Sequence, residues 1–110
     1  MFCTIMERYM EINTYWEYHD FEWDTHKESI NWMKHGVSFL EAQHAFADPK
    51  RVITRDLTHS RGNEERYFCF GKIGERVVTV RFIYREDRIR IFGAGAWREG
   101  KQMYEKKNNL

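Results

Sequence analysis

The apolar positions of this chain change period several times, and each change marks an element. Between Thr25 and His35 the apolar residues Ile30 and Met33 recur at a helical interval, with Trp32 on a different flank. Lys27, Asn31 and Lys34 or His35 recur at the same interval and form a polar stripe. Asp24 is placed to cap this helix, because its carboxylate can accept the free amide hydrogens of the first turn. Gly36 is placed to stop it, since glycine takes the left-handed conformation without steric cost. Ser38 with Glu41 three residues on reads as a capping box for a second helix, with Val37 and Ala42 as its hydrophobic staple. That helix is predicted from Phe39 to about Ala47 and buries Phe39, Ala42 and Phe46. Asp48-Pro49 ends it, because a residue before proline avoids helical geometry.

Beyond Pro49 the period shortens to two. Strands are predicted over Arg51–Asp56, Arg66–Ile73, Val77–Tyr84 and Arg88–Phe92, rich in β-branched residues and separated by Gly74-Glu75 and Arg85-Glu86-Asp87. Leu57–Asn63 reads as a polar loop. Gly93 and Gly95 are expected to loosen the chain before a last helix at about Trp97–Lys106. Upstream, Phe21–Trp23 reads as a short aromatic strand. Residues 1–20 form an N-terminal extension in which Ile12, Thr14, Trp16 and Tyr18 alternate with more polar neighbours, as in an added strand. The expected organisation is this extension, one domain over 21–106, and a charged tail at 107–110.

Composition narrows the classes. A chain of 110 residues with 42 % hydrophobic content can build one core without disulfide or metal staples. Cys3 and Cys69 lack close spacing, which points to free thiols in a reducing compartment, and no apolar run approaches membrane-spanning length. With no recognisable signal peptide, a cytoplasmic location is expected. Net charge is only +1, but it is unevenly spread. Residues 1–50 carry −5 (4 basic, 9 acidic) and residues 51–110 carry +6 (14 basic, 8 acidic). A basic second half attracts phosphate even in a nearly neutral protein; ion pairs between the halves would give the same numbers.

Several kinds of chemistry are missing from the sequence. It has no Gly-Lys-Ser/Thr phosphate loop, no Gly-x-Ser-x-Gly elbow, and no close histidine pairing of the zinc-binding kind. A protein without cofactors is the simplest reading.

Glu22-Trp23-Asp24, Lys27, Asn31, Lys34-His35-Gly36-Val37, Phe39, Ala42 and Phe46 with Asp48-Pro49 closely resemble the opening of BrnT-type toxins. The resemblance resumes at Gly62 and Glu65-Arg66, continues through Arg88-Ile89-Arg90-Ile91, and covers roughly Phe21 to Lys106. It implies a RelE-like α+β fold with two N-terminal helices on an antiparallel sheet and a C-terminal helix. It also implies ribonuclease activity and a cognate BrnA-like antitoxin, a ribbon–helix–helix DNA-binding protein. One departure stands out. The relatives have Ile-Ser-Ala-Arg after the last strand, whereas this chain has Phe92-Gly93-Ala94-Gly95, so glycines occupy the serine and arginine positions.

Cleaving RNA without a metal needs a base for the 2′-hydroxyl, an acid for the leaving 5′-oxygen, and cations for the phosphorane. Lys34, His35, Arg66 and Arg98 are the catalytic candidates, with His35 as acid or base and the cations on phosphate. Lys27, Asn31, Arg88, Arg90, Trp97, Lys101 and Tyr104 are candidates for holding RNA, the aromatics by stacking an unpaired base. Arg98 and Lys101 are also positioned to replace the arginine absent at Gly95. Structural alternatives stand beside each. His35 can fix the helix–helix turn, Arg66 can pair with a neighbouring glutamate, and Arg88 and Arg90 can line a solvated sheet face. Trp97 and Tyr104 can be core. The corresponding alternative for the whole chain is a non-catalytic module that binds nucleic acid or antitoxin.

Overall fold

The computed structural model describes residues 20–110, so the strand expected over Ile12–Tyr18 lies outside the described residues. The chain starts in strand β1 (Asp20–Trp23) and turns into helix α1 (Thr25–His35). Asp24 caps α1 as its sequence position suggests: Oδ1 accepts the amide hydrogens of His26 at 2.8 Å and Lys27 at 3.1 Å. Those two bonds hold the Asp24 carboxyl below its usual pKa. Gly36 ends α1 in the left-handed region, at φ 69°, and its N–H donates to the Trp32 carbonyl.

The second helix is shorter and tighter than expected. Only Phe39–Ala42 is α-helical (α2), and Gln43–Ala47 continues as a 3₁₀ segment. The tighter winding lays Ala45 flat on the sheet at Gly71, where a side chain would overlap the Ala45 carbonyl. Ser38 caps α2 by accepting the Glu41 amide at 2.9 Å. The remaining free amides of the α2 start, on Phe39 and Leu40, are taken by Glu28 of α1 at 2.9 and 3.0 Å. One carboxylate thus serves α1 and locks the corner between the two helices.

Four more strands follow: β2 (Val52–Arg55), β3 (Tyr67–Ile73), β4 (Arg76–Arg85) and β5 (Arg88–Gly95). They form one sheet with β1 in the order β1-β5-β4-β3-β2. The meander β2-β3-β4-β5 is antiparallel, but β1 joins β5 in parallel, so the sheet is mixed rather than purely antiparallel. The parallel pair arises because the chain leaves β1 and crosses the sheet through α1 and α2 before entering the meander at the far edge. Helix α3 (Arg98–Lys107) closes the chain.

Gly93 and Gly95 do not loosen the chain. Both lie within β5, paired with Arg81 and Thr79 of β4. Phe92 is left over where the register shifts between Arg81 and Phe82, and so forms a bulge. Glycine is a weak strand former, but the β4 ladder and the side chains lying over both positions override its propensity.

The two faces of the sheet are covered differently. On one face Phe21, Val78, Val80, Phe82, Ile89 and Ile91 meet Val37, Phe39 and Phe46 from the N-terminal helices. Phe46 sits edge-on to both Phe21 and Phe82, with ring centroids 5.2 and 5.0 Å away. Deleting such a ring typically costs about 3–5 kcal/mol. Cys69 is buried on this face, and burial pushes its thiol pKa well above the ordinary value. On the other face α3 packs through Met103 and Tyr104 onto Phe70 and Val77. Gly100 lets α3 approach Thr79 so closely that any side chain there would overlap the threonine hydroxyl. This contact covers only the lower part of the second face. No helix among the described residues packs on the upper part.

Candidate active site

Strand alternation and register build the open face as a grid. One row runs from Asp56 beside Arg66, whose carbonyl accepts the Asp56 amide at 2.7 Å, to Ile83 and Arg90. Arg90 pairs in turn with Glu22 of β1. The next row is Thr54, Phe68, Arg81 and Gly93. The third row, Val52, Phe70, Thr79 and Gly95, is the one that α3 begins to cover.

The bulge at Phe92 places its ring between the two upper rows. The guanidinium carbon of Arg66 lies 4.9 Å from the ring centroid, and that of Arg81 lies 5.1 Å from it. Two cations therefore converge on one aromatic ring. Arg66 also donates from Nε to Glu64 at 3.1 Å, the carboxylate pairing its sequence neighbours suggested. Arg81 has no carboxylate partner among the described residues, and it lies along Gly93, where a Cβ would sit 3.3 Å from its Cδ. Arg88 and Arg90 share Glu22 at 3.3 and 3.0 Å. Burial pushes the Glu22 carboxyl up, but the hydrogen bonds and charges of the two arginines outweigh it and leave its pKa lowered.

His35, Trp97, Arg98 and Lys101 lie at the α3 end of the same face. His35, exposed at the end of α1, meets the Trp97 ring edge-on at 5.0 Å between centroids. Trp97 in turn covers Gly95: a Cβ at Gly95 would lie 2.6 Å from two of its ring atoms. The glycine in the family's arginine position is thus the space that Trp97 occupies. Arg98 and Lys101 are exposed beside Trp97 and border a shallow depression with Arg76. Lys34 and Lys27 are exposed on α1. From Thr79 opposite Gly95 to Ile83 beside Arg66 is four residues of β4, or about 13 Å at strand rise. His35 and Arg98 therefore border the opposite end of the open face from Arg66.

Two expectations meet a different environment. Asn31 does not sit on a solvent stripe; it is buried, with its amide donating to the carbonyls of Val37 and Ala94 at 2.9 and 2.8 Å. Its Oδ1 accepts the Ala94 amide at 3.2 Å. On α1 it is instead Trp32 and Met33 that are exposed. Tyr104 is also buried, and its hydroxyl donates to Asp48 at 2.6 Å, which with burial raises its pKa. Both side chains spend their polar atoms inside the protein.

Sequence reasoning passed over Arg81, Phe92 and the Asp56–His59 pair. Arg81 had only the signal of a cation alternating with Val80 and Phe82, which any solvated strand shows. Asp56 and His59 carried a clearer one: an aspartate three residues before a histidine, at the end of a strand. Between Asp56 and α3 runs a groove lined by Thr54, Phe68, Trp97, Glu99 and Met103, which leads from the α3 end of the face towards the arginines.

A family model described as the ribonuclease toxin BrnT of type II toxin–antitoxin systems matches residues 23–100. The chain belongs to the BrnT family. Members of this family are ribonuclease toxins held in check by a cognate antitoxin. No protein of established function matches the chain in overall sequence comparison. The BrnT match starts at the last residue of β1 and ends in the first turn of α3, so it spans all of β2 to β5. No described helix of this BrnT chain is long and apolar enough to cross a membrane.

Proposed function

We propose that the chain is a metal-independent endoribonuclease toxin that cuts RNA on the open half of the second sheet face, stops translation, and is neutralised by a BrnA-like ribbon–helix–helix antitoxin. The observation that carries this reading is the convergence of Arg66 and Arg81 on Phe92. Planar guanidiniums present donor forks that match phosphate oxygens, and they stay charged throughout the reaction. Fixed on a sheet, they stabilise the charge that develops on the phosphorane without having to reorganise. Phe92 orients both cations. The groove past Phe68 to Trp97 gives the strand a path, with Arg98 and Lys101 beside Trp97 as backbone contacts. His35, against Trp97 at the α3 end of the face, contacts RNA there rather than the phosphate held by Arg66 and Arg81.

A non-catalytic module of the same fold is the second reading. Gly93 and Gly95 favour it, because the hydroxyl and the guanidinium that relatives carry there are absent. Induced expression in a bacterial host separates the two. The toxin reading expects growth arrest and loss of intact mRNA, both reversed by co-expressed antitoxin. Normal growth with soluble protein present would support the module.

A further inference from the structure

We propose that His59, held by Asp56, is the general base of this site; the assignment rests on the ribonuclease reading above. Asp56 is buried at the head of the upper row, directly beside Arg66. Its Oδ2 lies 2.8 Å from Nδ1 of His59. Its Oδ1 accepts the amide hydrogens of Thr58 and His59, both at 3.2 Å, so the carboxylate cannot swing away from the ring. Burial alone would push the Asp56 carboxyl up. The hydrogen bonds and charge of His59, with the Thr58 amide, overcome it, so the group stays ionised.

The loop around the pair is tied to the arginine row. Ser60 donates from Oγ to the Asp56 carbonyl at 2.7 Å, and the Arg66 amide donates to the same Oγ at 2.9 Å. Arg61 and Glu64 close the loop with two backbone hydrogen bonds, at 3.0 and 2.9 Å. The charged groups around it are Arg55, Asp56, Arg61, Glu64, Glu65 and Arg66. Among the described residues only Asp56 makes a hydrogen bond or ion pair with the imidazole.

An ionised carboxylate accepting from Nδ1 fixes the tautomer that leaves the Nε2 lone pair free. Nε2 has no hydrogen-bond partner among the described residues, and the side chain is 53 % exposed. This is the arrangement a base needs: one nitrogen oriented by a carboxylate, the other open to substrate. No other described histidine has a carboxylate on its ring; the ring contact of His35 is with Trp97.

The step balances as a transesterification. Nε2 of His59 takes the proton of the ribose 2′-hydroxyl, and the 2′-oxygen forms a bond to phosphorus. The bond from phosphorus to the 5′-oxygen breaks, and that oxygen takes a proton from water. The products are a 2′,3′-cyclic phosphate and a 5′-hydroxyl. Asp56 is a positioning residue, acting through the ring.

The test uses the full-length protein and a short single-stranded RNA. His59→Gln should lower kcat by roughly a hundredfold or more, the usual contribution of general acid–base catalysis, while the protein still melts cooperatively and binds RNA with unchanged affinity. The acidic limb of the pH–rate profile should disappear with it. Added imidazole should restore cleavage to His59→Gly in proportion to the concentration of free imidazole. The defect of His59→Gln should persist on an RNA whose 5′-oxygen is replaced by sulfur, a leaving group that needs no acid. Cleavage by His59→Gln within a few-fold of the parent would overturn the assignment. So would a defect that imidazole does not relieve, or one that the sulfur substrate abolishes. A parent protein that cleaves no RNA would bring down the ribonuclease reading itself, and this assignment with it.

Discussion

Asn31 is the side chain whose loss tests the architecture most sharply. It makes three hydrogen bonds of 2.8 to 3.2 Å, donating to the Val37 carbonyl in the corner between the helices and, in β5, donating to the Ala94 carbonyl and accepting the Ala94 amide. Ala94 is fully buried, and so is Val37, so water cannot replace the amide when it is removed. Each intramolecular hydrogen bond contributes about 0.5–1.5 kcal/mol, and each buried group left unpaired costs about 1–3 kcal/mol. The three groups share one side chain and do not add in full, so Asn31→Ala should cost about 2–4 kcal/mol. Urea unfolding should show the loss as a lower midpoint with an unchanged m-value. The melting temperature should fall by at least about 8 °C, given about 4–8 °C per kcal/mol for a small domain. Asn31→Asp should be worse, because it aims a carboxylate at the two carbonyls. Had Asn31 instead been an RNA contact on the helix surface, the alanine variant would keep its stability and lose only affinity. A change below about 0.5 kcal/mol, the usual range for surface substitutions, would refute the reasoning.

Further outcomes follow from the same face. Gly95→Arg, which restores the arginine of relatives, should destabilise the fold by about 1–3 kcal/mol, because its Cβ meets the Trp97 ring at 2.6 Å. Urea unfolding of Gly95→Arg with and without Trp97→Ala should show the penalty shrinking in the double variant, and equal penalties would contradict the clash. The Asp56 and Glu22 pKa values are lowered in the folded state, so each contributes stability that is fully present above the unfolded carboxylate pKa and is lost as pH falls through the folded value. Thermal melts should therefore drop below about pH 4, and Asp56→Asn should flatten part of that drop. An unchanged slope in that variant would count against the His59–Asp56 pair.

Much of the architecture was legible because local chemistry and tertiary need agree. Asp24, Gly36 and Ser38 mark the helix ends by mechanisms that need only neighbouring residues. The strands from Tyr67 to Ile91 announce themselves by β-branched and aromatic alternation. What stayed hidden depends on distant partners. Gly93 and Gly95 remain in a strand because β4 pairs with them and Trp97 and Arg81 lie over them. The parallel pairing of β1 cannot be read from four residues alone. Asn31 reads as surface because a polar side chain at a helical interval looks the same whether water or a carbonyl satisfies it. For the candidate site, the basic character of the second half was visible, but which cations converge was not. Arg88 and Arg90 turn towards Glu22, while Arg81, paired with no described carboxylate, joins Arg66 at a ring displaced by a bulge. Bulges leave no reliable mark in a single sequence.

The central claim is that Arg66 and Arg81 form the phosphate site of a metal-independent nuclease. The most direct measurement is single-turnover cleavage of a defined RNA by purified protein in excess chelator, comparing the parent with Arg66→Ala and Arg81→Ala. The account predicts that the parent cleaves in chelator and that each variant loses about 2.7–4 kcal/mol of transition-state stabilisation, roughly a hundredfold or more in rate, while melting with the parent's cooperativity. Parental rates from both variants, or a parent that needs added divalent metal to cut, would contradict it.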